Sequence, residues 1–156
     1  MKPRIVIRTV KITDLPQIMD IERRVFPHPW TEAHLMFEIT NKPVSGTTVA
    51  LIDNEIVGYL MYHLIYDVVH INNIAVDSTR QRKGVGRLLM ESFYRYLPER
   101  QPCNIFLEVD QTNQAAIRFY KKFGFEEIDR RKNYYPAGGD ALVMKKKLEN
   151  YGLVQA

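Results

Sequence analysis

Cysteine is almost absent from this 156-residue chain, where Cys103 stands alone. One thiol cannot close a disulfide within the chain, and a cysteine-based zinc site is excluded with it. On that count the chain suits a reducing compartment. Long apolar runs are missing too. The longest lies near Ile56 to Tyr62, well short of the roughly 20 residues a helix needs to span a bilayer. Met1-Lys2-Pro3-Arg4 leads into a charged stretch and not an apolar one, so no signal peptide is read and a cytoplasmic protein is expected, with no membrane partner. There is no repeat, no low-complexity tract and no linker rich in Gly, Ser or Pro. The four histidines, His28, His34, His63 and His70, show no recognised ligand spacing, so no metal is expected.

The remaining composition is ordinary, at 46% hydrophobic and 26% charged residues. A packed fold follows, and the length fits one domain with a full core. The formal charge of +4 suits an anionic ligand. A solvated basic surface explains that excess equally well.

Ile5 to Val10 is a short β-rich run. Thr13 and Asp14 are capping residues, Pro16 suits a first helical turn, and Ile18, Ile21 and Val25 recur at helical spacing. Phe26-Pro27-His28-Pro29-Trp30 breaks that helix. Thr31 can cap a second helix carrying Leu35, Met36 and Ile39. Thr47 to Ile52 and Glu55 to Ile65 read as strands joined at Asp53-Asn54, and Val68 to Val76 as another. A helix follows with Val85, Leu88, Leu89, Ser92, Phe93 and Tyr96 on one face, ended by Pro98. Ile105 to Val109 is apolar apart from Glu108, the pattern of a central strand covered on both sides. Asn113 can cap a last helix with Ala116, Ile117, Tyr120 and Phe123 inward, which Gly124 stops. Phe125 to Ile128 and Ala141 to Met144 close the chain. The expected class is α/β, more narrowly α+β: helices interrupting a mostly antiparallel sheet, with one strand-helix-strand crossover.

Between the strand ending at Val76 and the next helix runs Gln81-Arg82-Lys83-Gly84-Val85-Gly86, followed by Arg87. Glycines let a backbone turn sharply and approach a ligand, and free N–H groups at a helix start favour an anion. A Walker loop is excluded, because Arg87-Leu88 follows Gly86 where Lys and Ser or Thr are needed. A dinucleotide fingerprint is excluded by Leu89 at its third small position. A lone Gly-x-Gly is otherwise a turn with a solvated basic face.

The surrounding text narrows the reading. Asn73-Ile74-Ala75-Val76-Asp77, then Gln81-x-x-Gly84-x-Gly86, then Asn113-x-x-Ala116-x-x-Phe119-Tyr120, then Phe123-Gly124-Phe125 resembles the GNAT acetyltransferase superfamily, over most of the chain and in the right order. Phe26-Pro27-His28-Pro29-Trp30-Thr31, Leu107-Glu108-Val109 and Arg131-Lys132-Asn133-Tyr134-Tyr135-Pro136 make it most similar to the RimI-type ribosomal-protein-alanine N-acetyltransferases. The resemblance implies a GNAT fold, a mixed and mostly antiparallel sheet of about six to seven strands flanked by about four helices. It implies one such domain over residues 1–148, with 149–156 as a C-terminal tail of no assigned role.

It also implies acetyl-CoA as cosubstrate and a protein N-terminus, a ribosomal protein being the candidate, as acceptor. Backbone groups of Ile74, Ala75 and Val76 would pair with the pantetheine arm, and amides near Val76 would face the oxyanion. Arg82, Lys83, Gly84, Val85, Gly86 and Arg87 would take the pyrophosphate. Asn113 is a further cofactor contact in the family, beside its plain role as a helix cap. Glu108 matches the general base. As a lone charge in an apolar strand it needs either a partner or a raised pKa, and a raised pKa would suit a base acting on an α-ammonium. A structural carboxylate paired to a nearby Arg is the other reading. Tyr120 matches the acid that protonates the CoA thiolate, although its spacing also reads as core packing. Phe26, Trp30, Tyr134 and Tyr135 would wall the acceptor groove or simply pack. One departure stands out. After Tyr-Tyr-Pro the family pattern has a longer turn ending Glu-Asp-Ala, where this chain has Ala137-Gly138-Gly139-Asp140-Ala141, and this bears on acceptor specificity.

Three other functions fit parts of the pattern: acetylation of lysine side chains or small amines, a CoA-binding protein without catalysis, and a nucleic-acid module using the basic runs at Arg80 to Lys83, Lys121-Lys122, Arg130 to Lys132 and Lys145 to Lys147. Specificity sits in variable loops, so the first is open. Glu108 and Tyr120 argue against the second. Such runs are usually solvated faces, so nucleic acid is not expected as a partner.

Overall fold

A computed structural model describes residues 3–41, 44–97, 103–136 and 138–148. In chain order the elements are β1 (Ile5–Thr9), α1 (Leu15–Val25), α2 (Glu32–Thr40), β2 (Ser45–Ile52), β3 (Glu55–Ile65), β4 (Val68–Val76), α3 (Val85–Tyr96), β5 (Cys103–Asp110), α4 (Gln114–Lys122), β6 (Glu126–Arg131) and β7 (Ala141–Leu148), with short 3-10 turns at Ile12–Asp14 and Ser78–Arg80. The sheet has seven strands among the described residues, in the order β1-β2-β3-β4-β5-β7-β6. β4 and β5 are parallel, from Val68 opposite Asn104 to His70 opposite Phe106. β1–β2, β2–β3, β5–β7 and β6–β7 are antiparallel. This is the order of elements expected from the sequence.

The chain packs as two compact units, Met1–His63 with Asn72–Leu97, and Leu64–Ile71 with Pro98–Ala156. In the first, Ile18, Ile21, Leu35, Val49, Tyr59, Met61 and Ala75 are buried in one cluster, with Phe26 and Trp30 packed against it. Burying one such large side chain contributes about 1.5–3 kcal/mol. Gly58 of β3 is needed for close approach: a Cβ there would lie 2.9 Å from Ala75 O and 3.1 Å from Val85 Cγ1. The β2–β3 turn places Asp53 and Asn54 at φ 51 and 64, a left-handed pair suited to a two-residue hairpin. In the second unit Ile105, Leu107, Val109, Ile117, Phe125 and Met144 are buried, and β7 pairs with β5 from Ala141 to Leu148.

The structure differs from the sequence reading at several points. Asp14 holds the N-cap position of α1 but its side chain does not cap that helix; it closes the capping box of the preceding 3-10 turn. Its carboxylate instead accepts from both Arg8 Nη1 and Nη2, at 2.8 and 3.0 Å, and from Lys11 N at 2.7 Å. β5 is not covered on both sides: Ile105, Leu107 and Val109 are buried, while Asn104, Phe106, Glu108 and Asp110 on the other face stay partly open. β6 begins at Glu126 and runs on to Arg131, because its ladder with β7 continues to Arg131 opposite Ala141. The 3.6-residue pattern in α3 also omitted Met90, which is fully buried, while Leu88 and Ser92 are only half-buried. Pro98, Ala137, the tail 149–156 and the side chains of Tyr96 and Cys103 lie outside the described residues.

Candidate active site

The glycine loop, β4 and the Phe26–Trp30 loop belong to the first unit. Successive amides of a strand address opposite edges. Asp77 N donates to Val57 O at 2.8 Å, and Ala75 O faces Gly58, so these groups address β3. The main-chain groups of Ile74 and Val76 therefore face the other edge. Ala75 does not share that position, and its side chain is buried. Val76 O accepts from Gln81 Nε2 at 3.2 Å, so the first residue of the glycine motif closes back on the strand. Asp77 pegs the loop from below: it is 5% exposed, accepts from Thr79 N and Oγ1 at 3.1 Å each, and pairs with Arg24 Nη1 at 2.9 Å. Burial works against its charge, but the Thr79 and Arg24 contacts outweigh it and hold the carboxyl below its ordinary value.

Arg82 and Gly84 adopt φ of 65 and 84. Gly84 is the N-cap of α3 and offers no side chain to the helix start. The first intrahelical bond is Leu88 N to Gly84 O, at 3.1 Å, so the amides of Val85, Gly86 and Arg87 have no partner within the helix. Arg82, Lys83 and Arg87 are exposed around them, whereas the Val85 side chain is buried and offers only its backbone. Exposed cations beside free amides at a helix start fit a pyrophosphate. Phe26 and Trp30 are half-buried, and the Trp30 ring stacks on His34 at 4.0 Å.

Glu108, Asn113, Tyr120, Tyr134 and Tyr135 belong to the second unit. Glu108 lies on the open face of β5 with its side chain 11% exposed. His70 of β4 donates from Nε2 to Glu108 Oε2 at 2.5 Å, and Arg131 Nη2 lies 3.9 Å from Oε1. Burial raises the carboxyl, but the His70 hydrogen bond, the His70 charge and the Arg131 charge together hold it below its usual value. Of the two alternatives open from the sequence, a partner or a raised pKa, the structure shows the partner. His70 was missed because it is 38 residues away and its only signal was a lone polar ring among valines and isoleucines.

Tyr120 is buried, with its ring edge-on to Phe119 at 5.5 Å and to Phe125 at 5.9 Å. Burial, then Tyr135, keep its phenol protonated far above neutral pH. Tyr134 and Tyr135 stand edge to face at 5.0 Å. Burial, then Asp110, Tyr134 and Glu108, push the Tyr135 phenol up to about 12. Burial and Glu108 also raise Tyr134, against an opposing effect of Arg131. Both tyrosines and Tyr120 are therefore electrostatically joined to the Glu108 neighbourhood. Asn113 Oδ1 accepts from Ala116 N at 3.1 Å, so its oxygen is committed to capping α4. The lean loop after Pro136 is closed by Asp140, which accepts from Asn133 N at 3.0 Å through Oδ1 and from Gln111 N at 3.1 Å through its carbonyl.

Among the described residues no helix is long and apolar enough to cross a membrane, and no three His, Cys, Asp or Glu are grouped as metal ligands. Residues 15–125 match the acetyltransferase (GNAT) family. A [ribosomal protein bS18]-alanine N-acetyltransferase of Salmonella typhimurium is 33% identical, covering 88% of this chain and 94% of its own. The crystal structure of the ribosomal-protein-S18-alanine N-acetyltransferase from Escherichia coli superposes with a TM-score of 0.86 at 31% identity, over 94% of this chain and 95% of that one. Naa50 of Arabidopsis thaliana, solved with the bisubstrate analogue CoA-Ac-MVNAL, gives 0.79 at 27% identity over 91% and 97%.

Proposed function

The chain belongs to the acetyltransferase (GNAT) family, and on that premise we propose that it moves an acetyl group from acetyl-CoA to the N-terminal amine of a protein, with an alanine-starting ribosomal protein as the acceptor. The observation that carries this reading is the near full-length similarity to a ribosomal-protein-alanine N-acetyltransferase. Residues 1–148 act as the catalytic domain, in the cytoplasm.

Bound acetyl-CoA supplies an activated acetyl thioester. Arg82, Lys83 and Arg87 neutralise the pyrophosphate, and the amides of Val85, Gly86 and Arg87 donate to it from the start of α3. Ile74 offers its main-chain groups to the amides of the pantetheine arm, while Val76, whose carbonyl accepts from Gln81 Nε2, keeps its amide for the thioester. The Asp77 amide is committed to Val57 O, so the Val76 amide is the donor toward the developing oxyanion. Glu108, ionised at neutral pH, accepts a proton of the acceptor's ammonium directly or through water, and the freed amine lone pair attacks the thioester carbonyl. The carbon–sulfur bond then breaks, Tyr120 gives its phenolic proton to the departing thiolate sulfur, and the second proton lost by the acylated nitrogen returns to the phenolate through water. Phe26, Trp30, Tyr134 and Tyr135 wall the acceptor. Asn113 serves the cofactor only through its amide nitrogen, since its oxygen caps α4.

The test is mass spectrometry of peptides incubated with acetyl-CoA and the full chain. Peptides beginning Ala, Ser, Thr or Met are compared with lysine-only peptides and polyamines. N-terminal acetylation, strongest on Ala, is expected. Acetylation confined to lysine side chains or polyamines overturns the reading.

A further inference from the structure

One buried carboxylate takes no part in the chemistry above. Glu22, in α1, is 1% exposed. Its Oε1 accepts from Tyr59 Oη and from Asn73 Nδ2, the latter at 2.7 Å. Its Oε2 accepts from Trp30 N at 2.9 Å. The main-chain carbonyl of the same residue accepts from Phe26 N at 3.1 Å. Glu22 therefore holds both ends of the Phe26–Trp30 loop, one through its backbone and one through its side chain. The other side-chain oxygen reaches β3 and β4, at the residue just before Ile74.

A buried carboxylate is costly unless every lone pair that matters is met by a donor. Here the donors are neutral: no ion pair to Glu22 occurs among the described residues. The charge is balanced by hydrogen bonds from three different segments, an arrangement that fixes their relative positions because losing one donor leaves a desolvated charge. Pro27 and Pro29 restrict the loop between its two anchors. The Trp30 ring is further held by its stack on His34.

We propose that Glu22 is a positioning residue that sets the Phe26–Trp30 loop at a fixed place against strand β4, and thereby sets the affinity for the acceptor. The acceptor part rests on the function proposed above. The placement part does not.

The substitution Glu22→Leu keeps the buried volume and removes both side-chain oxygens, so Trp30 N loses its acceptor in every rotamer. Tyr59→Phe removes a buried bond from the far oxygen and leaves both loop anchors in place. Trp30 is the single tryptophan of the chain, so acrylamide quenching of fluorescence reads this loop alone. Quenching should rise about twofold or more in Glu22→Leu and stay at the wild-type level in Tyr59→Phe. KM for whichever amine the wild-type protein acetylates should rise about tenfold or more in Glu22→Leu, the size of one lost charged hydrogen bond. KM for acetyl-CoA should stay within about twofold. Unchanged Trp30 quenching in folded Glu22→Leu overturns the placement. Equal KM shifts in the two variants, or an acceptor KM unmoved in Glu22→Leu, overturn the link to the acceptor. An acceptor other than a protein N-terminus would sink only the earlier reading.

Discussion

Removing His70 tests how Glu108, the proposed base, is kept ionised. Only 11% of the Glu108 side chain is exposed, and His70 Nε2 sits 2.5 Å from its Oε2. A hydrogen bond to an ionised group contributes about 1.5–3 kcal/mol. The His70 side chain is 37% exposed, so solvent screens it and about 1.5 kcal/mol is the working figure. In the intact protein the carboxyl lies below its ordinary value. The carboxylate that the proposed mechanism uses as base is therefore present at every pH above that lowered value and is lost as pH falls through it. His70→Ala deletes the hydrogen bond and the charge that lower it, while burial, which raises it, remains. Its titration must move upward, and activity should fail at a higher pH on the acid side than in wild type. Above both titrations the carboxylate is ionised in either protein, so kcat/KM there should differ by no more than about tenfold. Glu108→Gln is the contrast. It lacks a base at any pH and should lose about 10²–10⁴-fold throughout, the usual range for general base catalysis. The assay is kcat/KM from about pH 5 to about pH 9, with acetyl-CoA affinity measured at both ends. Superimposed acid limbs in wild type and His70→Ala would refute the account of Glu108, and wild-type turnover in Glu108→Gln would remove it as the base.

Tyr120→Phe deletes the donor and keeps the ring packing against Phe119 and Phe125. Turnover should fall about 10²–10⁴-fold with acetyl-CoA affinity nearly unchanged, as read by calorimetry beside steady-state kinetics. Gly58→Ala would drive a Cβ to 2.9 Å from Ala75 O, so about 1–3 kcal/mol of stability should go, seen as a lower Tm, and acetyl-CoA affinity should fall as β4 shifts at the neighbours of Ala75. The Arg8 hydrogen bond holds the Asp14 carboxyl below its ordinary value, helped by Lys11. Its stabilisation is present above the unfolded value near about 3.9 and is lost as pH falls through the lower folded one. Arg8→Ala should therefore cost about 1–3 kcal/mol at neutral pH and less in acid, measured by urea unfolding at both.

The fold was legible because its signals are local. Helical spacing at Ile18, Ile21 and Val25, the Asp53-Asn54 turn, and the Asn113 and Thr31 caps each need only a few residues of text. The caps are met in space, with His34 N donating to Thr31 Oγ1 at 3.1 Å and Ala116 N to Asn113 Oδ1. The misjudged features depend on what faces a residue from far along the chain. Asp14 reads as the side-chain cap of the helix that follows, but its carboxylate turns back to Arg8, on the preceding strand, and to Lys11 N of the 3-10 turn. β5 reads as covered on both faces because Phe106 is apolar, yet that face stays partly open and carries Glu108.

The same division explains the candidate site. Glu108 could be picked out as an acid in an apolar strand, but its charge state could not, since that is decided by a histidine opposite Phe106 in the neighbouring strand and by an arginine at the end of β6. A partner and a raised pKa were both open from the text, and only the fold, by bringing His70 and Arg131 to the carboxylate, decides for the partner. Glu22 is the stronger case. In the text it is one more charge in the polar run Glu22-Arg23-Arg24 of a helix, where a solvated face is the natural reading. Helical geometry separates it from its neighbours: position 22 falls one residue after Ile21 and four after Ile18, on the inward stripe, while Arg23 and Arg24 turn away. Once it is inward, its charge demands donors, and the nearest are the amide that ends the Phe26–Trp30 loop and the side chain that precedes Ile74. A carboxylate on the buried side of an amphipathic helix thus carries information about which distant backbone it must hold, and here that backbone is the loop proposed to wall the acceptor.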